Sequence, residues 1–337
     1  MATLIFEGAR AERLHDETVL ETLERVGQDV PSSCRSGSCQ VCMLQVVRGV
    51  IPPEAQRGLK STLAAKGCVL ACQCRPQGDL ELARPDRLAQ RVSAVIVERT
   101  VLASEVLRIR LRPEGPFEYR PGQFLQLRRA DGLTRSYSIA SLPEQPSIEL
   151  HIRRVPGGRM STWLHEEIRP GDSIELLGPA GECFYVADRR DANLLLVGVG
   201  TGLAPLWGVA RDALAQGHEG SITLIHGGLT RERLYYTGEA EALAAIHESL
   251  SYIPCALQGR IPPGMRRGAI TEVALEELNR QGGDVAAKTR AYVCGDPPIV
   301  KDLRRALFLG GVGSKEIFAD PFVMAPAGAA LQAGGAT

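Results

Sequence analysis

Sulfur carries the first chemistry in this chain. Cys34, Cys39 and Cys42 follow the spacing C-x4-C-x2-C, and 29 residues separate Cys42 from Cys72. Three sulfurs from one short loop and one from a distant segment is the spacing that cages two irons and two sulfides. The loop is rich in Ser and Gly (Ser32, Ser33, Ser36, Gly37, Ser38). Such a loop turns its backbone N–H groups toward sulfur, and those hydrogen bonds tune a reduction potential. A zinc site favours two short C-x2-C pairs instead. The segment Leu70 to Pro76 contains both Cys72 and Cys74, and the thiols alone leave the fourth ligand open between them. Cys68, Cys183 and Cys255 read as structural thiols.

A second constellation is Arg135-Ser136-Tyr137-Ser138. On a strand, Arg135 and Tyr137 share one face and Ser136 and Ser138 the other. An arginine pairs with a phosphate through two parallel hydrogen bonds. A tyrosine ring offers a flat surface to a flavin. By itself the tetrapeptide is equally a surface arginine beside a core tyrosine. It is followed by His151-Ile152-Arg153 and by Gly157-Gly158-Arg159-Met160-Ser161-Thr162. Ser161 or Thr162 is expected to open a helix, whose free N–H groups suit a pyrophosphate. The order and spacing of these segments carry the reading of an FAD site.

The third is Gly198-Val199-Gly200-Thr201-Gly202, which ends an apolar run and precedes a helix from about Leu203. Its third glycine comes one position earlier than in G-x-G-x-x-G, but the task is similar. Glycines admit a dinucleotide pyrophosphate to the backbone, and the helix start adds N–H groups and dipole. Pro205 suits a first turn. Cys294-Gly295-Asp296 closes a later strand, and strand ends line the ligand crevice of open α/β sheets. Cys294 is therefore expected to face the nicotinamide. Asp320 and Phe322, near the end of the last element, are candidates to cover the flavin.

The elements that must position these groups fall into three sets. In the first, Thr3 to Phe6 and Met43 to Val47 read as strands, and Thr18 with Glu21 forms a capping box opening a helix that ends at Gly27. Pro76 to Arg91 reads as a linker. In the second, six short strands (Ser93 to Val97, Val106 to Leu111, Phe124 to Leu127, Ser136 to Ile139, Ile148 to Ile152, Ser173 to Leu177) suggest an antiparallel barrel. In the third, Leu194 to Val197, Ser221 to His226 and Ala291 to Cys294 alternate with helices, as in a parallel sheet covered on both faces. The fold class expected is a multidomain α+β and α/β chain. Its parts are a β-grasp domain at 1–88, a barrel at 89–187, an α/β domain at 188–324 and a disordered tail at 325–337.

Composition sets limits. In 337 residues, 39 Lys and Arg balance 39 Asp and Glu, so no general affinity for nucleic acid or an anionic membrane is expected. Nine cysteines is an odd count, against a complete disulfide framework, and a reducing cytoplasm is the expected compartment. No charged-then-apolar leader opens the sequence, and no apolar run is long enough to span a bilayer. The six histidines are scattered, and no proton-abstracting base is required.

With these motifs in this order, residues 2 to 324 resemble the reductase component of multicomponent bacterial oxygenases. These combine a plant-type ferredoxin domain with a module like ferredoxin–NADP reductase. Reductases of benzoate, naphthalene and terephthalate dioxygenases and of methane and phenol monooxygenases share the plan. Arg135 to Ser138, Val155 to Ser161 and Phe318 to Phe322 look closest to the terephthalate type. The resemblance implies Cys72 as fourth ligand, since the family's last cysteine follows a Leu-x pair and precedes a Pro by four positions. It implies FAD contacts from Arg135, Tyr137 and Ser138, with Ser138 near flavin N5, and dinucleotide contacts from Gly200, Thr201 and Gly202. Catalytic roles are expected for Ser138, Cys294 and Phe322. The electron path implied runs from NADH through FAD and a [2Fe–2S] cluster at ~−400 mV to a terminal oxygenase. NADH is favoured over NADPH because Ala256 to Arg260 lacks the Ser-Arg pair that grips a 2′-phosphate, although Arg231 and Arg233 offer another grip. The alternatives are a deoxysugar dehydratase as acceptor, as in CDP-6-deoxyglucoseen reductases, a redox sensor, and a ferredoxin–flavin fusion without turnover.

Overall fold

The computed structural model describes residues 2–32, 34–37, 39–85, 90–280 and 285–323. Ser33 and Ser38 of the cysteine loop and the expected tail at 325–337 lie outside them. The chain divides into two compact units, Met1–Ala89 and Gln90–Thr337.

The first unit holds strands β1 (Thr3–Phe6), β2 (Ala9–Glu12), β3 (Met43–Arg48), β4 (Cys68–Leu70) and β5 (Leu80–Ala83) and helix α1 (Val19–Arg25). The sheet order is β2-β1-β5-β3-β4, with β1 and β5 parallel. The capping box forms: Thr18 Oγ1 accepts from the Glu21 N–H, and Glu21 returns the bond to the Thr18 N–H at 2.8 Å. Leu4, Phe6, Leu20, Leu23, Leu44, Leu80 and Leu82 fill one core. The linker reading of Pro76 to Arg91 is therefore wrong for its middle. Leu80 and Leu82 are buried and alternate with the half-buried Glu81 and Ala83, as in any half-buried strand, and β5 lies at the centre of the sheet. Prolines and charges on either side obscured a four-residue strand.

The second unit contains two sheets. Strands β6 (Gln90–Ala103), β7 (Val106–Pro113), β8 (Phe124–Arg128), β9 (Thr134–Ser138), β10 (Ile148–Arg153) and β11 (Ser173–Ala180) form an antiparallel sheet ordered β10-β7-β6-β11-β8-β9. A bridge between Ile139 and Leu150 joins its two edges and closes it. Helix α2 of the first unit is one short turn pair (Ser61–Ala65), and α3 (Arg159–Glu166) follows β10. The other sheet is parallel, ordered β15-β14-β13-β12-β16-β17. Its strands are β12 (Asn193–Val199), β13 (Ile222–Gly228), β14 (Leu250–Ala256), β15 (Arg266–Arg267), β16 (Thr289–Gly295) and β17 (Ile317–Pro321).

Helices α4 (Leu203–Ala215) and α5 (Thr237–Ile246) pack on one face of the parallel sheet. Helices α6 (Ile270–Arg280), α7 (Val285–Lys288) and α8 (Pro297–Leu309) complete the set, and α6 and α8 cover the other face. The chain runs outward from β12 through β15, then returns to place β16 on the opposite side of β12. That reversal opens a crevice at the carboxyl ends of β12 and β16. The barrel and the sheet share one core, in which Val106, Ala140 and Cys183 pack with Leu203, Trp207 and Tyr292. Among the described residues, no helix is long and apolar enough to cross a membrane.

Candidate functional site

In the cysteine loop, Cys34 and Cys39 are exposed, while Cys42 and Cys72 are buried. The four thiols stand as two touching pairs, Cys34 with Cys39 and Cys42 with Cys72. Two sulfurs per iron is what a two-iron cluster with four cysteines needs. Among the described residues, no three or more His, Cys, Asp or Glu surround a single ion position. The backbone N–H groups of Cys39 and Ser36 donate to Cys34 Sγ at 3.3 and 3.4 Å. The Ser36 hydroxyl and these N–H groups hold the Cys34 thiol down at about 6, so it is readily a thiolate ligand. Burial pushes Cys42 up to about 11. The donor set fits a [2Fe–2S] cluster.

The loop's shape is imposed from outside. Arg35 and Gln40 both take positive φ, 51° and 58°, without being glycine; such strain persists only where surroundings fix it. Arg35 pairs with Glu24 at 2.7 Å, and Gln40 Nε2 donates to the Gly58 carbonyl at 3.2 Å. Gln73 Nε2 reaches the Arg35 carbonyl (3.3 Å), the Cys72 carbonyl (3.1 Å) and Cys72 Sγ (3.8 Å), linking the loop to the distant cysteine. Cys74 is fully buried, and burial pushes its thiol up to about 12.

On the barrel, Tyr137 of β9 lies opposite Leu125 of β8. Arg135 and Ser136 are exposed and Ser138 is buried. Arg135 Nη1 donates to the Thr134 carbonyl at 2.7 Å. Helix α3 starts at Arg159 with Gly158 as N-cap, two residues before the expected start at Ser161. The reason is local. Ser161 Oγ accepts from the Val155 N–H at 3.1 Å and donates to the Gly158 carbonyl at 3.2 Å, closing the turn from inside the helix. No side chain caps this helix, so its first N–H groups are left to bind an anion. A Cβ on Gly158 would lie 2.6 Å from Ser161 Oγ. Met160 is buried in the barrel core, and Thr162 is half-buried. Arginine, tyrosine face and uncapped helix fit an FAD pyrophosphate and ring.

Of the trio on β10, Ile152 belongs to the barrel core and Arg153 is exposed. His151 is buried: its Nε2 lies 3.0 Å from Glu149 Oε1 and its Nδ1 3.0 Å from the Tyr235 hydroxyl. The carboxylate can only accept, so Nε2 carries the proton and Nδ1 accepts from tyrosine. Burial keeps His151 below its ordinary pKa. Burial would raise Glu149, but bonds from His151, Tyr236 and Arg110 outweigh it and hold it at about 2. Tyr236 Oη donates to Glu149 at 2.7 Å and accepts from Arg108 at 3.0 Å. Tyr236, the N-cap of α5, takes a φ of 57°.

In the crevice of the parallel sheet, the glycines divide the work. Gly200 has φ +55° and open space where a Cβ would stand; a Cβ on Gly202 would lie 2.2 Å from the Cys294 carbonyl. Gly202 thus presses the loop against β16, while space stays open beside the half-buried Gly200. A Cβ on Gly198 would be similarly crowded, 2.8 Å from the Gly202 carbonyl oxygen. Thr201 is buried, Pro205 lies in the first turn of α4, and Asp296 is the N-cap of α8.

The barrel and the crevice meet at Ser138, whose Oγ donates to Asp320 Oδ2 at 3.1 Å. Asp320 pairs in register with Cys294 across β16 and β17, and the Phe322 N–H donates to the Gly295 carbonyl at 2.8 Å. Burial raises Asp320 above the ordinary carboxyl range, partly offset by Ser138. The Cys294 side chain is enclosed, its Sγ 3.3 Å from Cys183 Sγ. Burial and then Cys183 raise this thiol well above its ordinary value, so it stays protonated. The structure therefore brings Ser138, Asp320 and the Cys294–Gly295 strand end together, with the Cys294 side chain enclosed against Cys183 and not turned toward the expected nicotinamide position.

Sequence reasoning passed over Glu149, Tyr235, Tyr236 and His226. His226 on β13 is fully buried, with Nε2 3.3 Å from the Gly200 carbonyl and Nδ1 3.3 Å from the Tyr252 hydroxyl. Only the positive φ of Tyr236 is unusual in this set, and a backbone angle leaves no mark in a sequence.

Three family models cover most of the chain: a 2Fe-2S iron-sulfur cluster binding domain at 7–77, an oxidoreductase FAD-binding domain at 93–185 and an oxidoreductase NAD-binding domain at 196–305. The ferredoxin–NAD(P)+ reductase component of the naphthalene 1,2-dioxygenase system of Pseudomonas putida is 36% identical over 312 residues, 90% of this chain and 93% of the relative. The reductase component 2 of terephthalate 1,2-dioxygenase from Comamonas is 30% identical, over 93% of this chain and 94% of the relative. Against the expectation from three motifs, the naphthalene type is the more similar of the two. Among solved structures, a cytochrome P450 reductase of Amycolatopsis covers 96% of this chain and 99% of its own, with TM-score 0.65 and 29% identity. Likeness of this extent, on a chain carrying all three cofactor-type sites, is decisive: the protein is an oxidoreductase of the family of ferredoxin–NAD(P)+ reductase components of oxygenase systems.

Proposed function

We propose that this chain takes electrons from NADH and passes them to the terminal oxygenase of an aromatic-compound dioxygenase or monooxygenase system. The observation that carries the reading is the Ser138–Asp320 contact at 3.1 Å between the flavin-type barrel and the nucleotide-type sheet, in a chain that also holds two thiol pairs. When bound, FAD accepts a hydride and yields its two electrons singly to a [2Fe–2S] cluster. Cys34, Cys39, Cys42 and Cys72 would hold the cluster. Arg135 and the first turn of α3 would hold the FAD pyrophosphate, and Tyr137 and Ser138 would hold its ring. Gly200 to Gly202 would take the dinucleotide. Asp320 and Ser138 would hold a proton beside the ring. The three modules are assigned to 1–88, 89–187 and 188–324. Relatives in oxygenase systems favour an oxygenase over a dehydratase as acceptor. An odd count of nine cysteines, against a complete disulfide framework, supports a reducing, cytoplasmic setting.

The preference for NADH gains support from the loop after β13. Arg233 is paired with Glu105 of the barrel, which removes one of the two arginines able to grip a 2′-phosphate. Glu232 beside it has its carboxyl held below the ordinary range by Thr230, and a carboxylate repels a phosphate there. The test is an anaerobic titration with NADH and with NADPH, followed by visible and electron-spin spectra. NADH is expected to bleach the flavin and then reduce the cluster, faster than NADPH. Faster reduction by NADPH overturns the nucleotide assignment, and a colourless protein overturns the whole reading.

A further inference from the structure

We infer that His226 is a positioning residue for dinucleotide binding: it pins the Gly200 carbonyl inward and so aims the next N–H at the pyrophosphate. The inference rests on the reading of Gly200 to Gly202 as the dinucleotide loop.

The argument starts from protonation. His226 is fully buried, and burial holds it down at about 4, so the ring is neutral. A carbonyl oxygen only accepts, so the 3.3 Å contact to Gly200 requires a proton on Nε2. The bare Nδ1 then accepts from the Tyr252 hydroxyl, also at 3.3 Å. One tautomer satisfies both partners. Ring orientation is fixed further by Tyr235, edge-on at 5.5 Å, whose hydroxyl reaches His151 on the barrel strand β10.

The consequence follows from peptide geometry. In a planar trans peptide the carbonyl and the following N–H point in opposite directions. The Gly200 oxygen accepts from His226 and from the Leu203 N–H, using both lone pairs. The Thr201 N–H of the same peptide is thereby turned out of the core. Gly200 has φ +55° with open space on its outer side, so nothing in its own side chain stabilises this peptide orientation. Two donors do, His226 from beneath and the Leu203 N–H of the following turn. A loop freed to flip this peptide would present a carbonyl, with its partial negative charge, to a phosphate.

The experiment uses the full-length chain loaded with FAD and cluster. Calorimetry measures the Kd for NAD+, and stopped-flow measures the limiting rate of flavin reduction by NADH. H226F keeps a ring and loses the donor; it is expected to weaken NAD+ binding about tenfold while leaving the limiting rate within about twofold. H226Q restores an N–H at the same reach and is expected to stay within about threefold of wild type. Y252F frees the tautomer without touching His226 and is expected to weaken binding about two- to threefold. It decides the matter if H226F fails to retain FAD. The inference fails if H226F or Y252F binds NAD+ as wild type does, or if H226Q is as weak as H226F, because shape alone then explains the loss. Wild-type protein that binds no dinucleotide refutes instead the reading of the loop.

Discussion

Ser138 and Asp320 are 182 residues apart in sequence, yet one hydrogen bond of 3.1 Å joins them. One ends β9, an edge strand of the barrel sheet, and the other lies in β17, an edge strand of the parallel sheet. On the proposed assignment of Ser138 to the flavin site and of the β16 end to the dinucleotide site, the two rings would meet beside this contact.

Asp320 gives a stability test with a definite sign. Its carboxyl is raised above 3.8 by burial, so the folded chain binds a proton more tightly than the unfolded chain. The folded state is therefore increasingly penalised as pH rises above that ordinary value, and the penalty is absent below it. Asp320→Asn should unfold at higher temperature than wild type at pH 7, with the difference shrinking toward pH 4. Thermal unfolding followed by flavin release measures it; a variant less stable than wild type at pH 7 contradicts the assignment. Ser138→Ala should slow NADH-dependent flavin reduction by about tenfold, equivalent to one lost hydrogen bond of about 1.4 kcal/mol.

The two neighbouring cysteines should behave oppositely. Cys72 touches Cys42, whereas Cys74 lies enclosed with its thiol pushed up to about 12. Cys72→Ser should abolish the visible spectrum of the cluster, and Cys74→Ser should keep it. Iron content and electron-spin spectra of reduced protein check both. The reverse pattern would make Cys74 the ligand.

Gln73 should set the potential of the cluster rather than its presence. Its amide donates toward Cys72 Sγ at 3.8 Å and to the Arg35 carbonyl at 3.3 Å. A hydrogen bond to a ligand sulfur favours the reduced, more negative state. Gln73→Met keeps length and removes the donor, so the midpoint potential should fall while iron content stays. Redox titration reads it, and an unchanged potential in a fully loaded variant refutes it.

Two glycines of one loop should respond differently to a methyl group. A Cβ on Gly202 would stand 2.2 Å from the Cys294 carbonyl, which is backbone and has no way to yield cheaply. Gly200 offers open space and only the positive φ to oppose alanine, a cost of about 1–2 kcal/mol. Gly202→Ala should therefore lose NADH reduction and stability together. Gly200→Ala should stay folded with FAD bound and show weaker dinucleotide binding. Unfolding curves and NADH titrations separate the two, and equal behaviour would refute this division of roles.

The sequence by itself determined the chemistry that depends on spacing along the chain. The cysteine loop, the Arg135 to Ser138 strand and the glycine loop were legible because each is a local run whose residue types suit one task. The capping box at Thr18 and Glu21 was legible for the same reason. The start of α3 was misjudged by two residues, because Ser161 bonds back into the turn instead of standing at its head. The strand at Leu80 to Ala83 was missed because four residues between prolines and charges give too short a period to read.

Only the tertiary structure decided which distant groups meet. The pairing of Cys42 with Cys72, the bond from Ser138 to Asp320, the enclosure of Cys294 against Cys183 and the reach of His226 to Gly200 all join separate segments. Their cause is the order of strands in two sheets and the burial that results. Burial strips water from a polar group and makes its partner matter, and no run of neighbouring residues reports which partner that is.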